Sequence, residues 1–371
     1  MITGKIKADE AINVNKVKLK TLKLQEMVAR SIRGASNNRM VPLTQLMEIS
    51  LKDGILTLTT YDTINVLRVF EKDMPTGEFY AVVHAEVFSK LIAKTTSEFI
   101  TLKLIGGNLE VEGNGKYTIS LPLNEDGELI KLDSKVIDLD SEEFSINLST
   151  IKKVLEVNKA AVAKTMEIPV LTGYLFGDNV ITSDTFTVCS TDIQMFPESV
   201  LLYAQTVELL ALMNSETIKV RTSDTHIYFV SDNVSLYSYK LEGIENFPLE
   251  SIQQFLDLAF ESSCKIPKME LMNLLDRLSL FIGNLDKNVV NLTFTPEGIL
   301  FSTKKDNSTE LIKYQGSENF KPYTCSADIE LLKSQISPHS EEVLEFWYGH
   351  DAAIKVVSGK TTQIFALVVE Q

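Results

Sequence analysis

Met47–Asp62 reads MEISLKDGILTLTTYD. Apolar and polar residues alternate on both sides of Lys52-Asp53-Gly54, the pattern of two antiparallel strands half buried on one face. Asp and Gly at the tip tolerate the positive φ that a tight hairpin asks for. The pattern comes twice more at a spacing of about 120 residues, as GYLFGDNVITSDTFTV (Gly173–Val188) and as VNLTFTPEGILFSTKK (Val290–Lys305). Their tips are Gly177-Asp178-Asn179 and Pro296-Glu297-Gly298. A period that long marks repeated domains, not a short-repeat solenoid.

Working outward, each hairpin follows an amphipathic helix, predicted over Leu22–Ala35, Thr150–Lys164 and Met269–Ile282. At 100° per residue, Leu24, Met27, Val28 and Ile32 share one face of the first, and Lys23, Glu26, Arg30 and Arg33 share the other. In the second, Ile151, Val154, Leu155 and Val162 lie opposite Lys153 and Lys164. In the third, Leu271, Leu275, Leu278 and Ile282 lie opposite Asn273, Asp276 and Arg277. A second helix then recurs (HAEVFSKLIAK from His84, YAQTVELLALM from Tyr203, SADIELLKSQI from Ser326), followed by a second alternating hairpin. The expected class is α+β with antiparallel sheets, in three copies of helix, hairpin, helix, hairpin. Boundaries fall near 138 and 260, giving domains 1–138, 139–259 and 260–371. The linkers are the acidic Glu125–Glu143 and Glu245–Pro267. The first twenty residues fit the template poorly.

The protein carries a net charge of −14, yet Val14–Met40 holds Lys16, Lys18, Lys20, Lys23, Arg30, Arg33 and Arg39 against the single acid Glu26. This island of +6 leaves −20 to the rest. A solvated surface helix is the ordinary fate of such charges. The sharper reading is a face held against phosphate, which a local basic patch can supply in an acidic protein because distant charges are screened.

Catalytic patterns are missing. There is no Gly-rich phosphate loop, and His84, His226, His339 and His350 stand alone without zinc-ligand spacing. Asp138-Leu-Asp140 with Glu142 and Glu143 reads as a solvated charge run in the linker, so no metal or cofactor is expected. Asp184 and Asp192 flank Cys189 without a histidine, which leaves a nucleophile without a base. Three scattered cysteines argue against a disulfide framework and fit a reducing cytoplasm. No run of 18 apolar residues could span a membrane.

Several segments are similar to one family. PLTQLMEISLKDGILTLTTYD (Pro42–Asp62), GKYTISLPL (Gly115–Leu123), VLTGYLF (Val170–Phe176) with TSD (Thr182–Asp184), NFP (Asn246–Pro248), RLSLF (Arg277–Phe281) and VVNLTFTPEGILFST come in the family's order and spacing. Together the chain resembles the bacterial-type sliding clamp, the DNA polymerase III beta subunit. The resemblance implies three tandem clamp domains per chain and a homodimer closing into a six-domain ring, with sheets outside and paired helices inside. It implies double-stranded DNA held without sequence specificity, a clamp loader, and a replicative DNA polymerase tethered as processivity requires. It implies no enzyme activity. Read with the charge pattern, the DNA-facing residues would be Lys23, Arg30, Arg33, Arg39, Lys90, Lys153, Lys164 and Arg277.

The family also binds short peptides between its second and third domains, beside the C-terminal tail. Carried over by position, that site would include Leu171, Thr185, Phe186, Thr187, Val188, Pro248, Ala366, Leu367 and Val368. Here the sequence departs from the family. Thr185-Phe186-Thr187-Val188 stands where Gly-His-Arg-Leu is common, and the chain ends Val368-Val369-Glu370-Gln371 where Met-Pro-Met-Arg-Leu is common. A changed peptide preference would fit a bacteriophage clamp serving its own polymerase. The competing expectations are a clamp-fold scaffold that binds replication proteins without encircling DNA and, third, an enzyme with an unrecognised site.

Overall fold

The structure is a computed structural model and describes residues 16–36, 38, 40–132, 141–282, 288–303 and 308–368. The expected boundary near 138 lies outside them.

The first copy runs β1 (Lys16–Lys20), α1 (Thr21–Ser31), β2 (Leu46–Lys52), β3 (Ile55–Tyr61), β4 (Asn65–Glu71), β5 (Phe79–His84), α2 (Ala85–Ala93), β6 (Phe99–Ile105), β7 (Asn108–Glu112) and β8 (Lys116–Ser120). The second runs β9 (Phe144–Asn147), α3 (Leu148–Asn158), β10 (Gly173–Phe176), β11 (Val180–Ser183), β12 (Thr187–Thr191), β13 (Val200–Tyr203), α4 (Ala204–Leu210), β14 (Thr217–Thr222), β15 (His226–Val230) and β16 (Val234–Tyr239). After α5 (Leu249–Leu256) the third runs β17 (Ser262–Pro267), α6 (Lys268–Ser279), β18 (Val289–Phe294), β19 (Gly298–Thr303), β20 (Thr309–Lys313), β21 (Gly316–Glu318), β22 (Tyr323–Asp328), α7 (Ile329–Ile336), β23 (Val343–His350), β24 (Ala353–Ser358) and β25 (Thr361–Ala366). Apart from α5 and β21, one order is used three times. Apart from β21, each half-copy pairs four strands where the alternation predicted a hairpin of two. The extra strand leading into the first helix is β1, β9 or β17, and β1 comes from the residues that fitted the template poorly.

Two compact units form: Met1–Leu148 with Glu208–Tyr239, and Ser149–Val207 with Lys240–Gln371. The middle copy contributes to both. The first unit holds the sheet β1-β6-β7-β8 and the sheet β5-β2-β3-β4-β16-β15-β14-β9. The second holds β13-β10-β11-β12-β25-β24-β23-β17-β21 and β20-β19-β18-β22. The long sheets arise by joining half-copies through equivalent strands. β4 pairs antiparallel with β16, setting Val69 opposite Val234. β12 pairs with β25 in the equivalent way, setting Thr191 opposite Thr361. β8 and β20 hold the matching places in the two short sheets and, among the described residues, have a neighbour on one side only.

The helices α1 and α6 pack on the faces that their stripes predict. Leu24, Met27 and Val28 are buried, with α1 lying on α2, β3 and β4. The position after this segment's last turn requires glycine, because a Cβ at Gly34 would come within 2.6 Å of Thr60 Oγ1 and 2.7 Å of Leu67 Cβ. Thr60 in turn donates to the Ser31 carbonyl at 2.6 Å, closing the last turn. Leu271, Leu274, Leu275 and Leu278 of α6 join Phe294, Phe301, Phe346 and Phe365 in one core. Each such side chain contributes about 1.5–3 kcal/mol by leaving water. The first hairpin tip has Asp53 and Gly54 at φ 50 and 73, as its sequence suggests. The other two tips close without any positive φ.

Candidate nucleic-acid face and peptide groove

The expected DNA-facing cations are not equally available. Lys23 is half-buried and its Nζ lies 2.7 Å from Glu71 on β4. Arg30 is half-buried, and its Nη1 donates to Asn233 Oδ1 at 3.4 Å. Arg33 is exposed and enters no ion pair among the described residues. Arg39 lies outside the described residues. Lys90 pairs one turn back with Glu86 at 2.5 Å, and that ammonium holds the Glu86 carboxyl below its ordinary range. Lys153 is exposed on α3 and unpaired among the described residues. Arg277 pairs with Glu310 of β20 through both its Nε, at 3.0 Å, and its Nη2. The carboxylate raises the Arg277 pKa. The basic character is therefore strongest at the C-terminal end of α1 and neutralised on α6, where Lys333 also meets Asp276 at 2.8 Å.

One side chain fixes how α1 meets α2. Gln25 Nε2 donates to the carbonyls of Ile92 at 3.0 Å and Thr95 at 2.8 Å, capping the C-terminus of α2. No periodicity argument could find this, because glutamine is neutral to both stripes.

Lys164 lies elsewhere than expected. The helix α3 stops at Asn158, a short 3-10 turn follows over Lys159–Ala161, and Lys164 lies beyond both. Asn158 is buried with its amide satisfied by strands. Its Nδ2 donates to the Val180 carbonyl at 3.2 Å and its Oδ1 accepts from Thr191 at 2.9 Å. Lys164 instead lines a groove of about 730 Å³ within the second unit.

Ala160, Ala163, Ile168, Leu171, Phe186 and Leu331 give this groove its apolar surface. Leu171 is buried at the floor, while the Phe186 ring is 66% exposed. Lys164, Glu167, Asp184, Asp328 and Glu330 form the charged rim. Phe186 projects because of its turn. Asp184 Oδ1 accepts from the backbone of Phe186 at 3.0 Å and Thr187 at 2.7 Å. Thr185 is held at φ 77, a costly conformation for a β-branched residue. The Phe186 carbonyl accepts from Ala366 at 2.8 Å, so the backbone is fixed while the ring stays out.

Of the nine positions expected to bind peptide, Leu171, Thr185 and Phe186 line the groove. Thr187 and Val188 are buried in β12. Pro248 is half-buried at the start of α5. Ala366, Leu367 and Val368 are half-buried, and the amides of the last two donate at 2.9 Å to the carbonyls of Ala352 and Ser326.

Burial pushes the thiols of Cys189 and Cys325 up to about 12. Among the described residues no three His, Cys, Asp or Glu side chains gather as a metal would need, and no helix is long and apolar enough to cross a membrane.

No family model matches the sequence, and no curated protein matches it. Solved structures do match. The sliding clamp of Bacillus subtilis superposes with a TM-score of 0.83 at 15% identity, covering 96% of this chain and 100% of that one. The chain has the fold of a DNA polymerase sliding clamp. The beta subunit from Thermotoga maritima matches with a TM-score of 0.83 at 16% identity and the same coverage. The Bartonella birtlesii clamp, solved bound to griselimycin, matches at 0.81 and 14%, again with 96% and 100% covered.

Within this clamp fold, sequence reasoning missed the contribution of α7 to the groove, through Asp328, Glu330, Leu331 and Ser334. The signal was present. Asp328 precedes an apolar run and caps it, accepting from the Leu331 amide at 2.9 Å.

Proposed function

We propose that the chain is a DNA sliding clamp, a non-enzymatic processivity factor of three domains over 1–138, 139–259 and 260–371. Two chains join head to tail and encircle duplex DNA, and the replicative polymerase is tethered by a peptide in the groove beside Phe186. The observation that carries this is the pairing rule of the sheets. β4 joins β16 and β12 joins β25, so the same rule sends β20 of one chain to β8 of another. Both edge strands carry an exposed apolar side chain, Tyr117 at 44% and Leu311 at 39%. Unpaired edges of this kind invite a partner strand, and two such joints close a ring with twofold symmetry.

Arg33 and Lys153 then supply phosphate contacts, which carry no sequence information and let the ring slide. A clamp loader opens one joint to admit DNA. The deciding experiment is retention on closed circular DNA. A ring stays on the circle and leaves when the circle is cut; loss from the circle before cutting removes the reading.

One observation favours a second reading, a clamp-fold scaffold that binds replication proteins without encircling DNA. Lys23, Lys90 and Arg277 already have carboxylate partners. Under this reading peptide binding persists while topological retention fails.

A further inference from the structure

The geometry points to a specific class of occupant for the groove: a linear segment that places a lysine or arginine next to its apolar anchor. This rests on the peptide-tether reading above and names the chemistry that the tether must have.

The rim is predominantly acidic. Glu167, Asp184, Asp328 and Glu330 face a single cation, Lys164. Among the described residues, none of these carboxylates has a close cationic partner. Glu330 has Lys333 at 3.8 Å, and Lys333 lies closer to Asp276, at 2.8 Å. Asp184 and Asp328 each use Oδ1 to hold backbone amides. Their second oxygens have no hydrogen-bond partner among the described residues and remain able to accept. Carboxylates accept up to four hydrogen bonds and pair best with guanidinium or ammonium.

The apolar part fixes where that cation must be. Phe186 and Ile168 are exposed at 66% and 41% above the buried Leu171. An anchor side chain lying against them is bordered by the acidic rim, so the residues flanking the anchor meet the carboxylates. Anionic flanks are opposed by like charge, which makes the groove selective as well as receptive. The same rim repels phosphate. Lys164, which its spacing assigned to DNA, therefore stands in a place that DNA is discouraged from entering.

The test uses the full chain and two fluorescent peptides, identical except that a Leu-Leu anchor is flanked by two lysines in one and two glutamates in the other. Anisotropy titrations are run at low and at high salt. The lysine peptide is expected to bind about tenfold tighter or better, as one well-placed charge pair implies, with the margin shrinking as salt rises. Glu167→Lys with Glu330→Lys, both on the surface, should reverse the order. Phe186→Ala should weaken binding of the lysine peptide. Equal affinities, or tighter binding of the glutamate peptide, with Phe186→Ala still weakening binding, would overturn the charge preference and leave the groove standing. Failure of both peptides to bind, or indifference to Phe186→Ala, would overturn the groove reading and this inference with it.

Discussion

Asp62 and Asp184 build the same turn in two copies of the repeat. Asp62 Oδ1 accepts from the amides of Ile64 at 3.0 Å and Asn65 at 2.7 Å. Asp184 Oδ1 accepts from Phe186 and Thr187 at the same two distances. The residue after each aspartate is a threonine at positive φ, 87 for Thr63 and 77 for Thr185. The carbonyls of Ile64 and Phe186 both accept from the end of a joining strand, at Tyr239 and Ala366. The second turn carries Phe186 where the first has Ile64, and it lines the groove.

This separates structure from binding. Asp184→Ala should cost about 2 kcal/mol, because two amides lose a charged acceptor, and should release Phe186 from its projecting position. Asp62→Ala should destabilise by a similar amount. Urea unfolding measures both. Peptide affinity at the groove is expected to fall for Asp184→Ala and to hold for Asp62→Ala under conditions where each variant is folded. Equal loss of affinity in both would mean that stability, not turn geometry, governs the groove.

Leu311 and Tyr117 test the proposed joint between chains. Leu311→Lys places a charge at the exposed edge of β20, and Tyr117→Lys does so at β8. Edge charges block strand addition at little cost to the folded chain. The unmodified protein is expected near twice 41.5 kDa by light scattering, and either variant near 41.5 kDa. A variant that keeps the doubled mass would place the joint elsewhere.

The fold was legible wherever period and turn chemistry agreed. The hairpins at Met47–Asp62 and Gly173–Val188, the described part of the third (Val290–Thr303) and the stripes of α1 and α6 are found where alternation and 100° spacing place them. β1 was missed because KVKLK alternates over only five residues beside a charge cluster that drew the other reading. α5 was taken for linker, although Ile252 and Phe255 pack on Val170, Leu171 and Phe247. The end of α3 was misplaced because Val162 continues the apolar phase, whereas the buried amide of Asn158 ends the helix by bonding to strands far along the chain. At the site, Phe186 and Leu171 could be placed by resemblance. The acidic rim could not, since Glu167, Asp184 and Glu330 come from three segments that only folding brings together.

Arg33 and Arg277 should respond differently to charge reversal. Arg33 is exposed beyond α1 with no ion pair among the described residues. Arg277 is tied to Glu310 and so holds β20 against α6. Arg33→Glu is expected to shorten residence on circular DNA and to reduce the salt dependence of binding, since a lost phosphate contact lowers the slope by about one ion. Arg277→Glu should leave the salt slope unchanged, and any loss of retention should follow a loss of dimer mass. If Arg277→Glu lowers the slope as Arg33→Glu does, its pairing with Glu310 yields to DNA.

His339 gives the protein an acid limit. Its ring is buried, and Nε2 lies 2.9 Å from Gln363 Oε1, while Gln363 Nε2 donates to the Val157 carbonyl at 3.2 Å. Burial lowers the His339 pKa, opposed in part by the bond to Gln363 and aided by the nearby Lys268 charge. The unfolded chain takes up a proton near the ordinary value of about 6.5, which the folded chain resists. Stability from this group is therefore complete above about 6.5 and falls as pH drops below it, because the unfolded state then binds more protons. Melting temperature should be flat from pH 8 to 7 and decline toward pH 5. In His339→Gln, which cannot take the proton and can still bond Gln363, the decline should be shallower. An unchanged slope in that variant would assign the acid limit to other groups.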